Sequence, residues 1–431
     1  MAHGALMALV LLASGCRFGA IALPVGTPSA QSTLIGCDQA AARLTISTDS
    51  HLDPSCVYER GFDIVASNVT LDCRGAKVSR GASAIDSYGI LVTTPASTSL
   101  SDVTIRNCAV SGFSNNLRVT RTGFKTLAAG SEYLTPTSNI IIDNSSFLRS
   151  RASGIFIDGY VTGVTLTRVT VSGSGSVGIY LEAGSKDNVI TGSVIARNGF
   201  PSGVQTFDLN GTPIQYVSTG REGIAVDGSR DNWIHDNLIV DNSAGGVFLY
   251  KNCGEDVSAA GHWVRRYGAT GNRIEDNKFV LSANGVWIGS RAAENQHFMD
   301  CSDLPIIDAP FNRVYLDPAD HNTISGNLFH RTTNAIRVEA DDTTVTNNVI
   351  SQATRGVLIG TKHRYNELGQ PITGAIVTGN RTVTVSQPYG TVWGAIVATF
   401  AANSADGSAA PLAAGSQPTI NPFLFVAQIL P

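Results

Sequence analysis

The sequence is poor in charge, in aromatics and in methionine. Charged residues make up 15%, aromatic residues 7%, and 3 methionines occur in 431 residues. Intrinsic disorder is excluded, because it needs high charge and few apolar groups, whereas 43% of this chain is apolar. The net charge is -4 and there is no basic tract, so nothing points to a nucleic-acid partner. No Cys-x-x-Cys spacing argues for zinc. Neither a phosphate-binding glycine loop nor Ser-His-Asp nucleophile spacing is present. Helical periodicity is missing beyond the N-terminus, which excludes helical bundles and the usual α/β alternation.

The apolar run Ala5–Ala13 has the length of a signal h-region and is too short to span a bilayer. It leads into Ala13-Ser14-Gly15-Cys16. This resembles a bacterial lipoprotein signal, in which the cysteine is lipidated and becomes the mature N-terminus; secretion with cleavage nearby is the other reading. Setting Cys16 aside leaves six of the 7 cysteines. Sequence alone leaves the pairing of six cysteines open; proximity along a coil suggests Cys37 with Cys56, Cys73 with Cys108 and Cys253 with Cys301, and disulfides are expected of an exported protein in the periplasm or at the outer membrane. The only membrane contact expected is a lipid anchor at Cys16.

What the chain does have is repetition. One pattern places a polar residue, often Asn, before alternating apolar positions and a closing Asn or Gly, as in Asn188-Val189-Ile190-Thr191-Gly192, Asn232-Trp233-Ile234-His235-Asp236-Asn237 and Asn272-Arg273-Ile274-Glu275-Asp276-Asn277. The other reads Gly, apolar, any, apolar, variable, as in Gly154-Ile155-Phe156-Ile157-Asp158, Gly178-Ile179-Tyr180-Leu181-Glu182 and Gly223-Ile224-Ala225-Val226-Asp227. The shortest repeats are about 21 to 24 residues apart, one coil of a β-solenoid. Period-2, β-branched segments of this kind are strands with one face in and one face out. Asn beside the turns suits left-handed backbone and a stacked amide ladder. The fold expected is all-β: a single-stranded right-handed parallel β-helix over 37–385, after a signal at 1–16 and a linker at 17–36, with a C-terminal cap and tail at 386–431. Insertions near 199–220, 253–270, 291–320 and 361–373 interrupt the repeat; the last three follow the Gly-apolar strand and so leave from one edge.

Stacking the Gly-apolar strands in register places Asp158, Glu182, Asp227, Tyr250, Gly289 and Glu339 in one column, with coils ~4.8 Å apart. Stacked carboxylates at Asp158, Glu182 and Asp227 destabilise one another unless a cation, a proton or a bound ligand compensates. Next to them lies a basic, aromatic patch of Tyr250, Lys251, Arg265, Arg266, Tyr267 and Arg291, with His262, Trp263 and Trp287 nearby. Trp287 alternates with Val286 and Ile288 and is expected to face outward, as a surface for a sugar ring.

This arrangement resembles the polysaccharide lyases and uronate epimerases built on right-handed β-helices, in particular the chondroitinase-B and alginate-lyase family. The resemblance implies a Lys and an Arg on neighbouring coils, here Lys251 and Arg291, acting beside carboxylates that bind calcium, here Asp158, Glu182 and Asp227. Tyr250 or Lys251 would be the base, and Arg265, Arg266, Trp287 and His262 would hold the substrate. The expected reaction is β-elimination or C5 epimerisation of an acidic, uronate-containing glycan by a monomer. Elimination begins by neutralising the uronate carboxylate, for which Arg or calcium serves. Two other readings stand beside it: glycoside hydrolysis by Glu182 and Asp227 as a carboxylate pair, and glycan binding without catalysis.

Overall fold

Segments of three to six residues in which apolar and polar positions alternate bury every second side chain only if the neighbouring coil supplies the other wall. The chain does this by winding. In the computed structural model, residues 32–406 are described except 83, 96, 201–205, 208–212, 215–219, 253–262, 290–306, 310–311, 315–317, 361–368, 370 and 393–395. Through the regular part, each coil contributes three short strands, and each strand pairs in parallel with its counterparts one coil before and one coil after. A right-handed parallel β-helix with three faces results.

One coil illustrates the pattern. Trp233–His235 lies on the first face, Leu238–Val240 on the second and Gly245–Tyr250 on the third. The next coil repeats it with Arg273–Glu275, Lys278–Val280 and Asn284–Ile288, paired residue for residue. The lumen is filled by Ile234, Ile239, Val247 and Leu249 in one coil and by Ile274, Phe279, Val286 and Ile288 in the next, all buried. Identical residues stack where they recur: the Phe279 and Phe329 rings are 4.7 Å apart and inclined by 5°.

At the corners the expected amide ladders form. The Asn237 backbone N–H and Nδ2 both donate to Asn277 Oδ1 at 3.0 Å. Asn277, Asn327, Asn348, Asn380 and Asn403 continue the same bonds. A second ladder runs through Asn188, Asn232, Asn272 and Asn322. In these coils the left-handed conformation falls on the residue before the ladder Asn: Asp231, Asp236, Asp276 and Asn347 have φ between 53° and 56°. One corner thus divides the two tasks between adjacent residues.

The parallel ladders reach beyond both ends of the 37–385 span. Thr33–Ile35 pairs with Ser50–Leu52, and Ala398–Ala401 and Ser404–Asp406 add to the last coil. Disulfides join Cys37 to Cys56 and Cys73 to Cys108. Cys16, Cys253 and Cys301 lie outside the described residues, as does the whole signal segment. The third-face strands Asn115–Thr122, Gly245–Tyr250 and Asn284–Ile288 each run into an insertion at the same edge. The first of these insertions, 123–136, interrupts the repeat as the others do.

Candidate functional site

On the third face the register follows the repeats. Ile157, Leu181, Val226, Leu249, Ile288 and Val338 are successive partners. The residues that follow them, Asp158, Glu182, Asp227, Tyr250, Gly289 and Glu339, therefore form one column at the strand ends. Asp158 and Asp227 are fully buried, and Glu182 and Glu339 nearly so.

The charges in this column are compensated by guanidinium groups of the chain itself. Arg118 projects from the strand Asn115–Thr122 and binds Asp158 through two bonds, Nε to Oδ2 at 2.9 Å and Nη2 to Oδ1 at 3.0 Å. Arg265 bridges two coils: Nη2 lies 2.9 Å from Glu182 Oε1, and Nη1 donates to Asp227 Oδ2 at 2.5 Å. Asp227 also accepts from the Tyr180 hydroxyl at 2.5 Å and from the Asn252 backbone N–H at 2.5 Å. Arg337 pairs with Glu339. Buried carboxylates persist only with such partners, since removing one strands a charge in low dielectric.

Burial pushes the Glu182 carboxyl up to about 7. The Arg265 guanidinium opposes the rise, and the Asp227 and Asp158 carboxylates add to it. Glu222, at the start of the next third-face strand, behaves differently. Its burial also acts upward, but Arg221 bonds it at 3.1 Å through both oxygens, and its carboxyl ends below the ordinary range. Tyr180 is raised well above its ordinary value by burial and by the facing Asp227.

The other residues read from the sequence are placed as follows. Tyr250 is buried, and its hydroxyl donates to Glu222 Oε1 at 2.9 Å. Lys251 is fully buried at the end of the same strand. Arg265 is turned toward the carboxylates, and Arg266 lies 3.5 Å from Glu132. Trp287 does point away from the lumen, but it is not a free surface. It is 6% exposed and packs on Phe248 and Tyr250, with ring centroids 5.4 and 6.2 Å away. The reason is register: Ala225, Phe248 and Trp287 occupy one outward column and cover one another. Arg291 and His262 lie outside the described residues.

Arg118 and Tyr180 were not singled out by the sequence. Both occupy the "any" position of the apolar-any-apolar pattern, and Arg118 follows Leu117 in a strand without the leading Gly. The aromatic patch read at Trp263 and Tyr267 is part of a larger wall beside the column, whose other rings were not singled out. Phe124 and Tyr133 from the 123–136 insertion, Tyr160 from the turn after Ile155–Ile157, and Trp263 and Tyr267 from the 263–267 segment pack together. Tyr133 donates to Gly184 O at 2.6 Å, and the Arg230 guanidinium lies 4.8 Å from the Tyr267 ring. Gly159 lets the wall approach: a Cβ there would meet Trp263 at 2.7 Å and Ala183 O at 2.8 Å.

Calcium takes six to eight oxygen ligands. Both Asp158 oxygens are held by Arg118, and Asp227 is bonded by Tyr180, Arg265 and Asn252, so a guanidinium stands where a metal would. Among the described residues, the group of three donors with clustered ligand atoms is Cys37, Asp53 and Cys56, and its cysteines form a disulfide. The column does not fit a calcium site in this arrangement.

Two family models match the chain. One, described as a right handed beta helix region, covers residues 88–296, just under half of the chain. The other, described as a periplasmic copper-binding protein (NosD), covers 249–386. Copper favours clustered imidazole or sulfur ligands, and no such cluster occurs among the described residues of that stretch. Among curated proteins none matches the chain. Of solved structures, the A-module of a mannuronan C-5 epimerase from Azotobacter vinelandii is similar at 11% identity with a TM-score of 0.50, over 89% of this chain and 93% of that one. An alginate lyase from Paenibacillus sp. is similar at 15% identity with a TM-score of 0.37, over 87% and 99%. A DFA-IIIase from Arthrobacter chlorophenolicus is similar at 10% identity with a TM-score of 0.47, over 78% of each chain. At such identities the likeness is one of fold, and it agrees with the β-helix read from the repeats.

Proposed function

We propose that the chain is an exported polysaccharide-acting enzyme whose reacting groups are the carboxyls of Glu182 and Asp227, and that it cleaves glycosidic bonds by hydrolysis. One observation carries this reading: two carboxyls from adjacent coils meet on a single guanidinium, and burial pushes one of them up to about 7. Glycoside hydrolysis needs such a pair, ~5–9.5 Å apart, with one member kept protonated near neutral pH. Glu182 is the acid that protonates the leaving oxygen, and Asp227 is the second carboxylate. Arg265 keeps both in place, and Tyr180 fixes Asp227. The fold shared with a mannuronan-acting module supports polysaccharide as the substrate class, and the two disulfides support maturation outside the cytoplasm.

Among the described residues, elimination or epimerisation would rest on groups as deeply buried and as fully engaged as the carboxyl pair. Lys251 is buried, Tyr250 is engaged with Glu222, and Arg265 is committed to two carboxyls of the chain instead of one from a uronate. A panel of polysaccharides incubated with the purified protein separates the reactions. Hydrolysis yields new reducing ends without the ultraviolet absorbance of unsaturated uronates. Glu182→Gln is expected to lower the rate by about 10²–10⁴-fold, and the native rate to fall as pH rises through about 7. Absorbing products, or full activity in Glu182→Gln, would overturn the proposal.

A further inference from the structure

The first face carries an aromatic group that the third-face column does not use. Register aligns Val189, Trp233, Arg273, Thr323 and Thr344 in one outward column. The parallel column holds Thr191, His235, Glu275, Ser325 and Thr346. Among these hydroxyl-bearing positions Trp233 stands 37% exposed, and it is held in place on several sides. Its Nε1 donates to Glu275 Oε2 at 2.8 Å. Its ring stacks on His235, with centroids 3.7 Å apart and planes inclined by 22°. The Arg273 guanidinium lies 4.9 Å from the ring centroid. Glu275 is anchored in turn, accepting from Arg273 Nε at 3.1 Å, from Arg273 Nη2 at 2.6 Å and from the Ser325 hydroxyl at 3.2 Å.

An indole fixed at the surface has already given up the rotamer entropy that binding would otherwise cost. Its surroundings decide what it fits. The core of a protein interface is a contiguous apolar patch depleted in charge, whereas here an indole backed by the His235 imidazole stands among hydroxyls, a guanidinium and a carboxylate. A sugar ring has the matching character, with an apolar face of C–H groups and a rim of hydroxyls. The flat face repeats every ~4.8 Å, so an extended chain lying along the solenoid axis meets Trp233, Arg273 and Thr323 in turn.

We propose that Trp233, with Arg273 and the adjoining Thr and Ser hydroxyls, is a second glycan-holding site, which grips the polymer on the first face, away from the reacting carboxyls of the third. The choice of glycan rests on the function proposed above; the site and its residues do not. Affinity electrophoresis through gels containing alginate, polygalacturonate, xylan or dextran tests it. At least one polymer retards the native chain. Trp233→Ala then binds that polymer about tenfold more weakly, a change of ~1.4 kcal/mol. Trp233→Phe keeps most of the retardation, which separates ring stacking from any disturbance of the fold. Glu182→Gln is retarded like the native chain, and Trp233→Ala turns over short oligosaccharides at the native rate. If no polymer retards the native chain, or if Trp233→Ala is retarded equally, the site is refuted while the third-face reading stands. If Glu182→Gln retains full turnover, that reading falls while the retardation by Trp233 stands.

Discussion

At the scale of single residues, the two buried glutamates of the third face have opposite effects on stability. Glu182 holds its proton more tightly folded, at about 7, than an ordinary glutamate does. The folded state therefore carries the extra proton between about pH 4.5 and 7, and stability falls as pH rises through that window, by on the order of 3 kcal/mol. Glu222 is shifted down, so its contribution is present at neutral pH and is lost as pH falls through its folded value, below the usual glutamate range. The melting temperature is expected to peak in mild acid. Glu182→Gln, which mimics the protonated form, should flatten the decline between pH 5 and 8 in a thermal-denaturation series; an unchanged slope would remove Glu182 as its cause.

At the scale of elements, the corner ladders do what a hydrophobic strand cannot. Turns expose backbone donors and acceptors, and a buried turn must satisfy them. Asn277 accepts from Asn237 twice and donates to Ile234 O and to Asn327. Asn277→Ala would strand the buried Asn237 backbone N–H, at about 1–3 kcal/mol, and would take one donor from the Ile234 carbonyl and leave Asn237 Nδ2 only its bond to Ile190 O. Chemical denaturation should show a loss well above that of Asn144→Ala, where the amide is exposed and its described bond is a single one to Asn107. Equal losses would mean that the ladder adds no stability beyond local turn preference.

At the scale of the whole molecule, each coil touches only its neighbours, so stability is distributed along the axis rather than concentrated in one core. The two disulfides sit in the first coils and close loops of 19 and 35 residues, worth about 3–4 kcal/mol each by chain entropy. Reduction is expected to open the N-terminal coils first. Hydrogen exchange should rise across the strands between Thr33 and Arg106 while the lumen strands from Ile190 to Ile359 stay protected. A uniform rise along the chain would show that the solenoid unfolds as one unit.

Proximity only suggested the disulfides Cys37–Cys56 and Cys73–Cys108 that the structure contains, whereas the repeat and its period, the alternation of in and out and the membership of the acidic column were all set by local sequence. Each depends on spacing along one strand or between adjacent coils, and a period-2 strand stacked in register allows one answer. What lies opposite the column was decided by tertiary structure. Arg265 comes from outside the repeat and reaches two coils at once, Arg118 arrives from a strand without the Gly signature, and Trp287 is covered because Phe248 and Tyr250 lie beside it. Whether a carboxyl is an acid, a base or half of an ion pair depends on its burial and on charges contributed by distant parts of the chain, and no spacing rule encodes either.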